Sequence, residues 1–127
     1  LDYVESLVET GDWQNPDVEK YINMIRNRAG MPNMDKAVYN TQEKVRELYR
    51  RERRVEFGFE GKRYDDIRRW NIGAQTMSGS IQGAWNPNTN SFVTIEERNC
   101  TFPKNDSWPL PQDEVTANSN ISQPTGW

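Results

Sequence analysis

The sequence contains no histidine, a single cysteine and no long apolar run. Without histidine, the Ser-His and Cys-His arrangements of nucleophilic catalysis are excluded, and the commonest metal ligand is missing. Cys100 has no intrachain partner, so cysteine usage does not report a redox compartment. No segment approaches the ~18 consecutive apolar residues of a membrane-spanning helix, and the first residues lack the basic, apolar and small-residue order of a secretory leader. Charge of one sign is also scarce. Charged residues make up 28% of the chain yet the net charge is −3, which removes the basic footprint of a nucleic-acid binder. The same mixing of sign argues against the self-repelling regime of disordered chains. The apolar share of 34% is low against roughly 45–50% for ordinary domains, so a thin core is expected. At 127 residues, one folding unit at most is expected.

Aromatic residues are plentiful, with five Trp and five Tyr. Such side chains serve cores and ligand platforms equally well, because each joins a large apolar face to a polar handle. The chain divides near Trp70 into a helical, Arg/Glu-rich half and a half rich in Asn, Pro, Ser, Thr and Gly. Leu1, Val4, Leu7 and Val8 recur at helical spacing from the first residue, as expected of a chain that begins inside a longer protein. Asn15 and Pro16 supply a cap and a first helical position for a helix running to about Ala29. Its apolar stripe is Val18, Tyr21, Ile22, Ile25 and Ala29, and it stops at Gly30 and Pro32. Residues 31–40 read as a loop. Thr41 caps a second helix reaching about Phe59, with Val45, Leu48, Tyr49, Val55 and Phe59 as its stripe. A short third helix spans about Lys62 to Trp70. Ile81–Trp85 and Phe92–Arg98 read as a β-hairpin turning through Asn86–Asn90. Pro111 starts a brief helical turn through Val115, and the polar tail ends in Trp127, which is placed to dock on the body.

Two acids break the apolar pattern of the second helix. Glu52 falls between Leu48 and Val55, and Glu56 lies one turn further on the same side. Buried carboxylates are costly unless paired, and a guanidinium fork matches them best. Arg63, Arg68 and Arg69 of the third helix are the expected donors, with Arg28 as a further one, so that Glu52, Glu56, Arg63, Asp66, Arg68 and Arg69 form a structural ion-pair motif at a helix–turn–helix corner.

Three ordered segments resemble the SusD/RagB family: NMIRNRAGMP at Asn23–Pro32, ERRVEFGFEGKRYDDIRRW at Glu52–Trp70, and WPLPQDEVTANSNISQPTGW at Trp108–Trp127. The second is the most specific, similar to the family's ERRxExxFEGxRxxDLxRW signature almost position by position. The resemblance spans roughly Val18 to Trp127, with small departures at Ile67, Ser119 and Thr125. It implies a mainly α fold, here a helical C-terminal portion (16–70) followed by a loop- and hairpin-rich part (71–127), without the family's tetratricopeptide-like N-terminal portion. It further implies a non-enzymatic lipoprotein on the exterior face of the outer membrane, held by an N-terminal lipid anchor not present in this chain. Such a protein is a lid over a SusC-like TonB-dependent transporter, to which it delivers an oligosaccharide or polysaccharide, or for some members a peptide. A lid whose ligand site lies in the missing N-terminal part is a further possibility under the same resemblance. It implies no cofactor and no metal.

A functional reading competes with a structural one at each motif. Arg50, Arg51, Arg53 and Arg54 lie largely off the core stripe and suit a solvated face better than an anion site. Asp65 and Asp66 with Glu56 and Glu60 have the residue types of a glycosidase pair, but neighbouring arginines would hold them ionised, so a hydrolase is the weaker reading. In the Asn-rich turn, an exposed Trp85 would stack on the apolar face of a sugar while Asn86 and Asn88 bridge its hydroxyls. These three are the candidate ligand-binding residues, against the alternative that Trp85 is a buried anchor.

Overall fold

A computed structural model describes all of residues 1–127. It is mainly helical with one two-stranded antiparallel sheet and long irregular segments, the class expected. Its contacts gather into two compact units, Leu1–Arg63 and Tyr64–Trp127, where the sequence suggested one unit dividing in composition near Trp70.

The first unit packs three helices: α1 (Asp2–Glu9), α2 (Pro16–Arg28) and α3 (Gln42–Glu56). The Asn15 side chain caps α2 by accepting from the Asp17 N–H at 3.0 Å, with Pro16 at the first helical position. Thr41 caps α3 by accepting from the Lys44 N–H. Each cap satisfies a donor that the first turn leaves without an intrahelical partner. Val4 and Val8 of α1, Val18 and Ile22 of α2, and Val45, Leu48 and Tyr49 of α3 are buried together with Met34 of the loop. Full burial of one such aliphatic side chain is worth roughly 1.5–3 kcal/mol. The start of α1 meets the end of α3 through Asp2 and Arg53, and the end of α1 meets the start of α3 through Glu9 and Arg46. These two helices therefore run antiparallel. The last turns of α2 and α3 lie together, joined by Arg26–Glu52 and Arg28–Glu56. The chain must then return along the layer before α3 can begin, and residues 29–41 make that return.

The stripe of α3 ends differently from expectation. Val55 is 74% exposed and Phe59 fully so, whereas Arg53 is buried. At about 100° per residue, positions 45, 48, 49, 52, 53 and 56 stay within one sector, while 55 falls to its edge. The helix stops at Glu56, and Phe59 takes a left-handed conformation (φ 67°) in the turn beyond.

The second unit has a much smaller core. Asp66 and Ile67, on α4 (Arg63–Arg69), and Gly73, at the start of the short helix α5 (Gly73–Thr76), are its buried residues. Gly73 admits the Phe102 ring so closely that a Cβ there would lie 2.2 Å from it. Strands β1 (Gly79–Asn86) and β2 (Ser91–Arg98) form the expected hairpin, extended at both ends, with register shifts on either side of Gln82. A 3-10 turn (Lys104–Asp106) and α6 (Gln112–Ala117) follow. The last residue is docked as expected: the Trp127 indole N–H donates to the Lys104 and Ser107 carbonyls at 3.0 and 3.1 Å, and Lys104 Nζ lies 4.2 Å from its ring. Gln123 ties the tail to Leu110 through both backbone groups, at 2.9 and 2.8 Å.

Candidate functional site

The hairpin places Trp85 on β1 directly opposite Phe92 on β2. Their rings meet edge to face, 5.0 Å between centroids and 74° between planes. Directly opposed residues are the closest side-chain neighbours in an antiparallel pair, and an aromatic couple there contributes roughly 0.2–1 kcal/mol. The contact holds the indole in place without burying it. Trp85 remains 49% exposed, so it is not the buried anchor of the alternative reading. Gln82 and Thr94, the next cross-strand pair, lie 3.4 Å apart through their side chains. The structure thus places an exposed aromatic ring beside amide and hydroxyl groups on one ribbon.

The two asparagines have different surroundings. Asn86 is partly buried, and its side-chain oxygen accepts from the Asn88 N–H at 3.0 Å, a turn that shapes the loop. That bond uses one lone pair of the Asn86 oxygen, and the amide nitrogen remains available. Asn88 is exposed. On the other side of the ribbon, Ile95 lies over Gly83, where a Cβ would stand 2.5 Å from its terminal methyl.

The ion-pair motif is built in part with other partners than expected, for Arg28 was among the expected donors and Arg26 was not. Glu52 is held by Arg26 and Glu56 by Arg28, at 2.6 and 2.5 Å for the latter. The guanidiniums come from the last turn of α2, not from Arg63, Arg68 and Arg69. The cause is helix packing: the face of α3 that carries Leu48 and Glu52 lies against α2, so the acids meet what α2 presents there. Arg26 also donates Nε–H to the Pro32 carbonyl at 2.7 Å, which fixes the start of the return loop. Of the expected donors, Arg69 pairs with Asp66 at 2.9 Å one turn away. Arg68 donates to the Asp106 carbonyl at 2.7 Å and lies over the Tyr64 ring. Arg26 is the residue that sequence reasoning missed as a donor. Its position on the inner face of α2, one turn beyond Ile22, was the available signal.

Most of the arginines read as a solvated face also have structural work. Arg53 is buried, pairs with Asp2 and lies 4.9 Å from the Phe57 ring. Arg51 donates to the Tyr39 hydroxyl at 2.9 Å, and Arg50 reaches Glu9 at 3.5 Å. Arg54 is exposed. Glu9 takes a two-nitrogen contact from Arg46 at 2.8 Å and a hydrogen bond from the Tyr49 hydroxyl at 2.7 Å. Those Arg46 bonds, aided by Tyr49, outweigh burial and hold the Glu9 carboxyl down at about 2. Burial, then the bond to Glu9, pushes the Tyr49 phenol well above its ordinary value.

Comparison with known proteins places these features in a family. The SusD family model matches residues 1–127. The crystal structure of a SusD-like carbohydrate binding protein from Bacteroides fragilis NCTC 9343 superposes with a TM-score of 0.74 at 32% identity. The match covers 94% of this chain and 26% of that one, so the chain spans about a quarter of that protein's length. No curated protein matches. The chain belongs to the SusD family.

Proposed function

We propose that this chain is a portion, the C-terminal one, of a carbohydrate-capturing protein displayed on the outer membrane. The protein holds a glycan without cleaving it and passes it to a SusC-like TonB-dependent transporter. The observation that carries the reading is likeness at 32% identity to a protein described as carbohydrate binding. The hairpin adds a local reason. Trp85 offers an aromatic face, propped by Phe92, with Gln82 and Thr94 as the next cross-strand pair and Asn86 and Asn88 at the turn as hydrogen-bonding groups for hydroxyls. Stacking on C–H faces with amides at the edge is the chemistry that a neutral polyol requires.

Catalysis is disfavoured by what the carboxylates are doing. Glu56 is engaged by Arg28 and Asp66 by Arg69, whereas a glycosidase needs two carboxyl groups free to flank the scissile bond. Affinity electrophoresis of the full-length protein through gels containing individual polysaccharides tests the reading. Retardation by at least one polysaccharide without release of reducing sugar is expected. Absence of retardation across the panel would refute carbohydrate capture. For the hairpin platform, Trp85→Ala is expected to weaken the retardation, and unchanged mobility would remove Trp85 from the site.

A further inference from the structure

The α1–α2 connection and the return loop between α2 and α3 enclose a cavity of about 320 Å³. That volume falls at the low end of the ~300–1,000 Å³ typical of small-molecule sites. Trp13 and Tyr39 are its aromatic walls, and Gln14, Asn15 and Asn40 contribute amides.

The walls are held by bonds from all sides. Asn15 is doubly committed, capping α2 through its oxygen and donating to Asp12 at 2.7 Å. Lys36 of the return loop pairs with Glu19 of α2 at 2.6 Å. The Met34 N–H donates to the Asn23 side chain at 2.7 Å, and Arg26 holds the Pro32 carbonyl. Arg51 of α3 donates to the Tyr39 hydroxyl, which fixes the second aromatic wall. A return loop tied at these points keeps the cavity open in place of collapsing onto α2.

Its free chemistry is that of a neutral polar ring. The Trp13 indole N–H and the Gln14 amide make no hydrogen bond within the protein. Asn40 accepts from Lys44 at 2.9 Å and keeps its amide N–H groups uncommitted. Lys36 and Glu19 cancel each other's charge at the rim, so neither an anion nor a cation finds an unopposed partner. Aromatic walls, amide donors and acceptors, and no net charge select a ligand with C–H faces and a hydroxyl edge. We infer that this cavity is a subsite for a single carbohydrate ring, separate from the Trp85 ribbon. The inference rests on the reading of the protein as a carbohydrate binder and adds a second place of contact.

Fluorine NMR of the full-length protein labelled with fluorotryptophan separates the two. The Trp13 and Trp85 resonances are assigned from Trp13→Phe and Trp85→Phe, then followed during separate titrations with glucose, mannose, galactose, xylose and N-acetylglucosamine. A saturable shift of the Trp13 resonance with at least one of these sugars is expected. Trp13→Ala is expected to weaken that binding about two- to tenfold, the worth of one aromatic contact. Gln14→Ala, on an exposed side chain that the fold does not use, is expected to weaken it without affecting folding. A Trp13 resonance that no sugar moves overturns the subsite. If the Trp85 resonance then moves, the broader carbohydrate reading stands, and if neither moves in any titration, it loses its support in this chain as well.

Discussion

Replacing Arg26 by leucine tests the account of the α2–α3 contact most directly. The Arg26 side chain is 8% exposed and that of Glu52 14%, so the substitution leaves a carboxylate shut away from water with no counter-charge. It also strips the Pro32 carbonyl of its donor at 2.7 Å. Removing one partner of a buried pair costs roughly 3–5 kcal/mol. Loss of the carbonyl's charged donor adds to this, at about 1–3 kcal/mol for a polar group left unsatisfied. The return loop's access to solvent offsets part of that second amount. Arg26→Leu is therefore expected to lower unfolding free energy by about 4–6 kcal/mol, and Glu52→Leu, which leaves the Pro32 carbonyl its donor, by about 3–5 kcal/mol. The double variant leaves no orphaned charge. Its cost should fall short of the sum of the single costs by about 2 kcal/mol or more, within the range of coupling for residues in contact. Urea denaturation followed by circular dichroism gives each free energy by linear extrapolation. Additivity of the two substitutions within about 0.5 kcal/mol would refute the reasoning, because independent sites add to that precision.

Two further outcomes follow from local geometry. Because the folded Glu9 carboxyl is held near 2 against an ordinary 4.5, the unfolded chain binds its proton first as pH falls. Its stabilising share is complete above about 4.5 and drains away between there and about 2. Glu9→Gln should flatten that part of the profile of urea midpoint against pH, and an identical slope in the variant would show that another acid is responsible. Gly73→Ala would drive a methyl group to 2.2 Å from the Phe102 ring. Overpacking of this kind costs roughly 1–3 kcal/mol, visible in the same urea titration. An unchanged midpoint would mean that the ring is free to move aside.

The local elements were legible in the sequence because they depend on near neighbours along the chain. Asn15-Pro16 and Gly30 bracket a helix whatever surrounds it. Asn86–Asn90 turns a hairpin because those residues tolerate the required backbone, and Asn90 does adopt a positive φ of 49°. The family signature, with its order of acids, glycines and arginines, was equally visible. Reading also located two inward acids on α3. It also offered Arg28 as one donor, but it could not supply Arg26 or set aside Arg63, Arg68 and Arg69, because nearness in sequence favoured α4 while nearness in space is set by which helix faces pack. Only the tertiary structure brought the last turns of α2 and α3 together and turned Arg26 and Arg28 onto Glu52 and Glu56. The same packing left Val55 outside and drew Arg53 in, a matter of where the centre of a buried sector falls. It also obliged residues 29–41 to run back along the layer, enclosing a cavity beside a segment, 31–40, that reads by itself as a plain loop. Periodicity and capping are properties of a few adjacent residues. Partnership between helices and the space between loops depend on the whole layer's arrangement, which no window of sequence contains.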